Sequence, residues 1–476
     1  MDFSILSRAE EMSSGGVFTA SCGRIVKKTK EPNEQTGGRV PVTEENNVRT
    51  GIRNNVRLFL FLIGHILLAA AVGTLALWGA FALPDGSVDT HINESASVFA
   101  EEGTYPYIFS WCTSQLDNTT DAAMMLESLN VTEGNALRRA MLVPHLMCDS
   151  DVANVTLVNH YVGGKDFTGS FILPRYWHGY QIWLKPLLSL VNYQMIRILN
   201  GILQGCLIAG ICWLLYRRKR SELILPMILI YGMLMPVTLA MSMQFSSAFY
   251  LAMLSVLALL LNKDKGKIPY IFLYAGIATA FFDYLTYPAA TFGIPAVLYC
   301  ALTGEKDLRK TFVSLIRFGI CWGLGYAGMW AMKWVIASWI TGVDVISDAR
   351  NQAMYRMSDS YEGFVIHYFH CAKMCAWFFI RTPFTIPVVL YCGWMIVKII
   401  LQRKKDALLK ERLLSVIPFF LLALVPFAWY AVTKNHTYNH LFFTNKAVSV
   451  SVLAGMVWLT GLAYRPDRTE DVALTA

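Results

Sequence analysis

Two aspartates, Asp117 and Asp121, are the residues of this chain whose type and spacing most suggest chemistry. Asp117 can cap the N-terminus of a helix, and Asp121 would then lie one turn further along the same face. Two carboxylates so placed near a membrane could act as a general base or hold a divalent cation. The alternative is structural, with Asp117 only a helix cap and Asp121 in contact with solvent.

A second candidate is the aromatic stretch of residues 175–188, which contains His178 and Lys185. Its density of Trp and Tyr is typical of a membrane interface, where such rings lie at headgroup level. We predict an amphipathic helix on the outer leaflet, over about residues 177–188. His178 and Lys185 could bind a lipid-linked phosphate. The alternative is an aromatic belt whose cations only extend toward the headgroups.

A third candidate lies late in the chain, where Lys434, His436, His440 and Lys446 are close together in sequence. One helical turn would align the two histidines, but two histidines without a third ligand are a weak metal signal. The group is better interpreted as an anion site for a phosphate or diphosphate. The alternative is an ordinary basic loop.

Two predicted helical hairpins also have polar residues at their tips. A carboxylate such as Asp283, set among aromatic residues at membrane depth, is a functional candidate by default. Its alternative role is a structural hydrogen bond that closes the hairpin before Pro288. The main tip candidates are Gln244, Asp283 and Tyr287. Residues 344–370 could fold as a lid over a groove, and the sequence assigns no roles within them.

These residues must be positioned by membrane helices, because the composition is that of a membrane protein. Of 476 residues, 55% are hydrophobic and only 16% are charged, whereas soluble domains carry about a quarter charged residues. The net charge of +8 does not indicate nucleic-acid binding, because the basic residues cluster at the ends of apolar runs.

The apolar runs predict an all-α, polytopic transmembrane bundle of about ten helices within residues 56–464. Residues 1–55 are predicted to be a disordered cytoplasmic tail, and residues 465–476 a second cytoplasmic tail. The predicted helices lie near residues 56–83, 194–216, 223–240, 248–261, 268–282, 289–302, 311–332, 386–401, 413–432 and 447–464.

Basic clusters follow every second predicted helix, which places both chain termini in the cytoplasm. Cytoplasmic loops are then short, and the two long segments, residues 84–193 and 340–385, are extracytoplasmic. These segments hold most of the polar residues that are not basic. We therefore expect any site to face outward at the membrane surface.

The predicted outer segments raise two questions of covalent modification. Cys112 and Cys148 fall in one segment, so the sequence allows a disulfide between them but does not require it. Five Asn-x-Ser/Thr triplets also lie on outer segments. We favour the interpretation that these loops are simply rich in Asn and Thr. The triplets begin at Asn93, Asn118, Asn130, Asn154 and Asn435.

Taken together, these features resemble the GT-C class of integral membrane glycosyltransferases, in particular the bacterial, polyprenyl-phosphate-sugar-dependent members. The resemblance covers about residues 56–464 and rests on architecture: one helix, a large outer segment with an acidic pair, an interfacial helix, short hairpins with polar tips, and the late His/Lys loop. Many members place the acidic residue soon after the first helix, where this chain has Asp85, Asp89 and Glu94.

The resemblance implies a transfer of sugar from a polyprenyl-phosphate donor to a glycan or lipid acceptor of the cell envelope, at the outer face of a bacterial plasma membrane. Asp117 or Asp121 would be the base, and cationic groups would stabilise the phosphate leaving group. The residues that would hold the phosphate are His178, Lys185, His436, His440 and Lys446.

Two other functions remain open. A transporter or flippase for a lipid-linked saccharide should show charges or broken helices at the bilayer midplane. A non-enzymatic scaffold should show no grouping of acidic and cationic residues. The sequence has no Walker loop, which fits a lipid-linked donor.

Overall fold

The structure is a computed structural model, and it describes residues 42–131, 134–305, 307–402 and 413–464. The chain divides into two compact units, Met1–Arg57 and Leu58–Ala476, and everything discussed below except the beginning of the first helix lies in the second. The tail predicted for residues 465–476 lies outside the described residues, as do residues 1–41 of the N-terminal tail. Residues 42–55, also predicted as tail, are the beginning of a helix, because the first membrane helix extends back to Val42.

The described chain is almost entirely helical. Four short strands form two separate two-stranded antiparallel sheets. The elements, in chain order, are α1 Val42–Phe81, α2 Gly86–Glu102, α3 Asn118–Leu126, α4 Ala136–Leu142, β1 Pro144–Met147, α5 Ala153–Tyr161, β2 Gly169–Ile172, α6 Gln181–Leu188, α7 Tyr193–Arg217, α8 Ile224–Met233, α9 Pro236–Met241, α10 Met243–Leu261, α11 Ile268–Phe282, α12 Ala289–Thr303, α13 Leu308–Thr341, α14 Val345–Met357, β3 Ser360–Tyr361, β4 Phe364–Val365, α15 Tyr368–Ile380, α16 Thr385–Gln402, α17 Val416–Ala423, α18 Val425–Val432, α19 Lys434–Asn439, α20 Leu441–Thr444 and α21 Ser449–Ala463.

Within the described residues, six helical stretches are long and apolar enough to cross a membrane. A hydrocarbon core of about 30 Å needs about 20 apolar residues in a helix, so the all-α, multi-pass class is confirmed. The remaining predicted crossings correspond to shorter apolar helices, and the number of ten stays a prediction. The six stretches are Phe59–Phe81, Tyr193–Arg217, Met243–Leu261, Leu308–Thr341, Thr385–Gln402 and Leu441–Ala463.

The helix predicted over residues 223–240 is broken in two. α8 is separated from α9 by Met235, whose backbone is in the left-handed region with φ of 61°. Pro236 follows directly, and a proline has no N–H to continue the helical ladder. The next turn is equally tight, because Ser242 alone separates α9 from α10. Gln244, predicted at a hairpin tip, therefore lies in the first turn of α10.

Two helices of the bundle, α11 and α13, are in close backbone contact. A Cβ atom added to Gly276 would lie 2.1 Å from the Trp322 carbonyl oxygen, and one added to Gly325 would lie 2.3 Å from the Leu273 carbonyl oxygen. Each glycine thus faces the backbone of the opposite helix. Small residues at such contacts allow membrane helices to approach closely.

Residues 82–192, which we call the first inter-helix region, form a small folded layer at one end of the bundle. Buried apolar residues of α2, α3, α5 and α6 share one core with the start of α7. The β1–β2 pair runs in antiparallel register from Pro144–Ile172 to Met147–Gly169. The sequence, which shows no long apolar run here, predicts a long outer segment with a helix capped by Asp117 and one interfacial helix, and it does not predict this common core.

The predicted interfacial helix is one feature that the structure corrects. The helix begins at Gln181, later than predicted, and its residues Leu184 and Lys185 are completely buried. Trp177 and Tyr180, predicted to lie among headgroups, are also buried in the protein. The first inter-helix region thus covers this segment, because its apolar side chains have a protein core to join.

Residues 342–384 lie at the same end of the bundle and contain α14, a hairpin and α15. The hairpin joins β3 to β4 through Glu362 and Gly363, which both have positive φ, as a two-residue turn of this kind requires. Asn435 holds the hairpin in place, since its backbone N–H donates to the Ser358 carbonyl at 3.1 Å. The long segment, the hairpin tips and the late His/Lys loop therefore meet at one end, which we call the polar end.

Candidate functional site

Asp117 is the N-cap of α3, as the sequence predicts. Its carboxylate accepts the backbone N–H of Thr120 at 3.0 Å and the Thr120 hydroxyl at 2.8 Å. Only 5% of the residue is exposed. Burial raises the pKa of Asp117 to about 6, against the opposing effect of the Thr120 hydrogen bonds. The donors to this carboxylate all come from Thr119 and Thr120 in the first turn of α3, so Asp117 retains lone-pair capacity to accept a proton.

Asp121 is different, because protein donors surround its carboxylate. One oxygen accepts the Tyr193 hydroxyl at 2.6 Å and the Met243 N–H at 2.9 Å. The other accepts the Gln244 N–H at 3.1 Å and lies 3.4 Å from the Ser242 hydroxyl. The carboxylate thus lies at the N-terminus of α10, where backbone N–H groups and the helix dipole favour an anion.

The two aspartates therefore have separate roles. Asp121 fastens the first inter-helix region to the α9–α10 junction, and Asp117 remains the one suited to proton transfer. The cation proposed for the pair would compete with four donors at Asp121. Among the residues that the structure describes, no group of three or more His, Cys, Asp or Glu side chains is placed to hold a metal ion.

His178 belongs to a buried cluster around Glu127, a residue that the sequence did not single out. The Glu127 carboxylate contacts His145 Nε2, lies 3.1 Å from His178 Nδ1 and accepts the Tyr180 hydroxyl. Burial alone would raise the pKa of Glu127, but the two imidazoles outweigh it and hold that pKa well below its usual range. His178 is buried, and its hydrogen-bond partners Glu127, Tyr180 and Leu173 all lie within the first inter-helix region.

Lys185 is the partner of Asp85, the first acidic residue after α1. Its ammonium lies 2.9 Å from Asp85 Oδ1, and the same carboxylate accepts the Asn130 N–H at 2.5 Å. Burial lowers the pKa of Lys185, although the contact with Asp85 opposes that shift. The ion pair joins α6 to the α1–α2 junction, and it uses the charge that was predicted to bind phosphate.

His436 connects two segments at the polar end. Its Nδ1 lies 2.7 Å from an Nη of Arg356, and its Nε2 lies 2.7 Å from the Leu285 carbonyl oxygen. A guanidinium can only donate and a carbonyl can only accept, so the ring is neutral with its proton on Nε2. Burial, followed by the charges of His440 and Arg356, lowers the pKa of His436 far below its ordinary value.

His440 is partly exposed and lies beside His436, with ring centroids 4.7 Å apart. Burial and the nearby Arg356 charge lower the pKa of His440 as well. Both histidines are therefore neutral near pH 7, and Arg356 is the cation of this group. The sequence contained Arg356 in the unassigned segment, but only the fold shows that α14 carries it onto the histidines.

A row of aromatic rings connects Asp117 to His440. The charge of Asp117, second to burial, raises the pKa of the half-exposed Tyr105 phenol. The Tyr105 ring lies 5.8 Å from that of Phe442, which in turn lies 6.3 Å from the His440 ring. The acidic residue and the His/Arg group thus border one aromatic surface at the polar end.

Lys446 is completely buried and is bound to backbone carbonyls. Its ammonium donates to Thr113 O at 3.1 Å and to Leu234 O at 3.3 Å, the latter at the C-terminal end of α8. Lys333 repeats the arrangement at the end of α4, where it donates to Met141 O at 3.0 Å. A cation at a helix C-terminus is favoured by the exposed carbonyls there. Lys446 thus closes the break after α8.

The hairpin-tip candidates also make structural contacts. The Asp283 carboxylate accepts the Thr286 N–H at 2.9 Å and the Thr286 hydroxyl, which closes the α11–α12 turn. The Tyr287 hydroxyl donates to the Phe245 carbonyl at 2.7 Å. Gln244 binds Asp121 through its backbone, and its side-chain Oε1 is buried without a partner. Unlike the other polar groups at the tips, Gln244 Oε1 can still accept a hydrogen bond.

Covalent modification of the predicted outer segments is limited by burial. Cys112 and Cys148 both carry free thiols, so the disulfide is not formed. Asn118, Asn154 and Asn435 are buried and hydrogen-bonded through their side chains. A glycan on any of these three side chains would displace those contacts. The interpretation of the triplets as ordinary loop composition is therefore consistent with the fold at these positions.

Comparison of the chain with protein-family models, with curated proteins and with solved structures gives no match in any of the three. The fold and the arrangement of residues at the polar end are therefore the basis for any statement about function.

Proposed function

We propose that this protein is a membrane glycosyltransferase that moves a sugar from a polyprenyl-phosphate-linked donor to an acceptor hydroxyl at the polar end. The observation that carries the proposal is Asp117, a nearly buried carboxylate with a pKa of about 6. A general base is most effective when its pKa lies near the working pH. Asp117 also borders the aromatic surface of Tyr105 and Phe442, which suits a sugar ring.

In the proposed step, the Asp117 carboxylate takes the proton of the acceptor hydroxyl. The acceptor oxygen forms a bond to the anomeric carbon of the donor sugar, and the bond from that carbon to the phosphate oxygen breaks. The electron pair of the broken bond stays on the phosphate, whose negative charge increases by one. The proton on Asp117 is released to water afterwards.

Arg356 is the cation that would stabilise the phosphate. A guanidinium presents several donors in a plane and binds phosphate oxygens in pairs. His436 positions it, because its Nδ1 accepts from Arg356 while its other nitrogen is held by Leu285. His440 is neutral and partly exposed beside the same group, so it can donate one further hydrogen bond. Of the cations expected to bind the donor, Lys185 and Lys446 instead serve the fold.

The test is sugar transfer by the purified full chain in lipid nanodiscs, with polyprenyl-phosphate sugars as donors and the released polyprenyl phosphate as the measured product. Asp117→Asn should lower the rate by about a hundredfold to ten-thousandfold, the usual contribution of a general base. Asp166→Asn is the matched control, since Asp166 is an exposed acid of the same region. Equal rates for Asp117→Asn and the wild type would exclude Asp117 as the base, and no transfer from any such donor would exclude the function.

A second function, transport of a lipid-linked saccharide, is favoured by one observation. The break between α8 and α9, with Lys446 on the freed Leu234 carbonyl, is the kind of interrupted membrane helix that lines substrate sites in transporters. The same purified protein reconstituted into sealed proteoliposomes, instead of nanodiscs, would separate the two functions. Movement of a labelled lipid-linked saccharide between leaflets without bond cleavage would favour the transporter.

A further inference from the structure

The helix α15 has two faces of different character, and one of them packs against the bundle. The Tyr368 hydroxyl donates to the Phe427 carbonyl of α18 at 3.2 Å, and Cys375 Sγ lies 3.9 Å from Thr444 Oγ1 of α20. The buried residues of this face are Cys371, Ala372, Cys375 and Phe379. These contacts fix the position of α15 at the polar end. The proposed sugar transfer uses no residue of α15.

The other face of α15 carries an exposed row of alternating aromatic and basic residues. We call this row, Phe369, Lys373, Trp377 and Arg381, the α15 stripe. Its members follow one another at intervals of four residues, so they lie along one side of the helix and its C-cap. Phe369 is 82% exposed and Trp377 is 49% exposed, and both basic residues are exposed as well. The Arg381 guanidinium lies 5.3 Å from the centre of the Trp377 ring, which is a cation–π contact.

The connection from α15 to the next helix keeps the stripe near the membrane surface. α15 ends at Ile380 and α16 begins at Thr385, and a link of this length reaches at most about 18 Å. α16 is one of the six stretches that are long and apolar enough to cross a membrane. Its residues Val389 and Leu390 are 62% and 68% exposed, as expected of a face in contact with lipid. The stripe therefore continues a surface that already faces the bilayer.

The residue types of the stripe match the headgroup level of a phospholipid leaflet. Aromatic rings are enriched at that level, and the long side chains of Lys and Arg extend from it toward the phosphates. A helix with this composition lies in the plane of the interface, with its rings at the boundary of headgroups and acyl chains. A second copy of the stripe would present the same positive charges to Lys373 and Arg381, whereas phosphates present the opposite charge.

We propose that the α15 stripe docks on the phospholipid leaflet at the polar end. The rings of Phe369 and Trp377 lie below the phosphates, and Lys373 and Arg381 contact the phosphates from the same side of the helix. α15 is then the interfacial helix of this protein, and it attaches the edge of the polar end to the membrane. This docking does not depend on the proposed sugar transfer, so loss of either proposal leaves the other intact.

The test is spin labelling of the full chain in nanodiscs of phosphatidylcholine and phosphatidylglycerol. Phe369→Cys and Trp377→Cys each receive a nitroxide, in a Cys206→Ala background because Cys206 is exposed. The labelled background protein, without an added cysteine, gives the signal to subtract. Power saturation then compares access of oxygen, which concentrates in lipid, with access of a polar nickel chelate, which stays in water.

Two further labels supply the reference values. Leu390→Cys on α16 stands for a residue in contact with lipid, and Val162→Cys at the end of α5 stands for a residue in water. Val162 is 58% exposed, and the charged pair of Lys165 and Asp149 follows from the same small layer. A charge-reversed variant, Lys373→Glu with Arg381→Glu, is labelled at residue 369. Its matched control is Lys165→Glu with Arg350→Glu, two exposed cations outside the stripe.

Both stripe labels should give oxygen-to-nickel access ratios between those of Val162→Cys and Leu390→Cys. Reversal of the two stripe charges should lower the ratio at residue 369 toward the value of Val162→Cys, and the control pair should leave it unchanged. Nickel access equal to that of Val162→Cys at both stripe positions would overturn the proposal. Low access of both reagents would also overturn it, since the stripe would then be covered by protein. An equal shift in the control pair would show that total charge, and not the stripe, sets the ratio.

Discussion

The Tyr193 hydroxyl donates a hydrogen bond of 2.6 Å to Oδ2 of Asp121, which joins the first residue of α7 to the first turn of α3. Arg197, one turn along α7, continues the connection with a pair of hydrogen bonds to Glu102, at 2.5 and 2.8 Å. A membrane helix and the first inter-helix region are therefore held by buried charge-assisted contacts, which are among the stronger hydrogen bonds in proteins.

Replacement of Asp121 should therefore lower the free energy of unfolding, and any effect on the rate of the proposed transfer should follow from that loss. Asp121→Asn presents an amide N–H₂ to donors that need an acceptor, and we expect it to lower the free energy of unfolding by about 3 kcal/mol. Tyr193→Phe should lower it by about 1 kcal/mol. Because the two residues share a hydrogen bond, the double variant should lose less than the sum. Unfolding in mixed detergent micelles measures all three, and strict additivity would contradict a direct interaction.

Asp117 gives a prediction that depends on pH. Its pKa moves from an ordinary 3.8 to about 6 in the folded protein, so the fold favours the protonated carboxyl. The stability that this group contributes is present below about pH 4 and is lost as the pH rises through about 6. Asp117→Asn, which stays neutral, should exceed the wild type in stability by up to about 3 kcal/mol above pH 6 and match it below pH 4.

The transfer rate should follow the opposite trend, because only the deprotonated carboxylate can accept a proton. In the wild type it should rise with pH and level off above about 6. A melting curve and a rate measured across the same pH range in nanodiscs would test both statements. A rate independent of pH between 4 and 8 would assign the proton transfer to another group.

Arg356 should be needed for the donor and not for the fold. Arg356→Gln removes the guanidinium that we propose binds the donor phosphate, and we expect kcat/KM for a polyprenyl-phosphate sugar to fall about a hundredfold, as for other preorganised donors. Arg350→Gln is the control, because Arg350 is an exposed arginine of the same helix. An equal effect of the two substitutions would show that α14 acts through its net charge alone.

Lys185 and Lys446 are both buried cations, but they should respond differently to removal of the charge. Lys185→Met leaves Asp85 without its ion-pair partner and should cost about 3 kcal/mol of unfolding free energy. Among the residues that the structure describes, Lys446 contacts two backbone carbonyls and the Phe245 ring, and no carboxylate, so Lys446→Met removes a buried charge and should cost about 1 kcal/mol or less. Chemical denaturation of both variants at pH 7 compares them, and a larger effect at Lys446 would contradict the assignment.

The sequence predicted the all-α, multi-pass class because apolar runs of sufficient length have one main explanation in a chain of this composition. The exceptions are informative. The break at Met235 was missed because the apolar run continues through it, and Pro236 alone does not show whether a membrane helix bends or stops. The beginning of α1 was missed because its first residues are polar, and a polar stretch can still extend a helix already begun.

The candidate site could be predicted only in part. Asp117 was found through its spacing to a following apolar helix, which is a local signal. Arg356 and Glu127 were not assigned, because their roles depend on contacts with residues far away in sequence, such as His436 and His178. Lys185 and Lys446 were predicted to bind phosphate, but they contact Asp85 and two backbone carbonyls, respectively. A sequence does not show which partner a lysine has when that partner lies far away along the chain.

The length of α13 has a mechanical consequence. Its 34 residues at 1.5 Å each make a rod of about 50 Å, well beyond the roughly 30 Å of a hydrocarbon core. The C-terminal part of this rod is hydrogen-bonded to the first inter-helix region. The Trp177 indole donates to the Met329 carbonyl, and Arg138 donates to the Thr341 carbonyl. Any change in bilayer thickness that tilts the rod therefore displaces the layer that carries Asp117, so membrane strain and the geometry of the polar end are coupled.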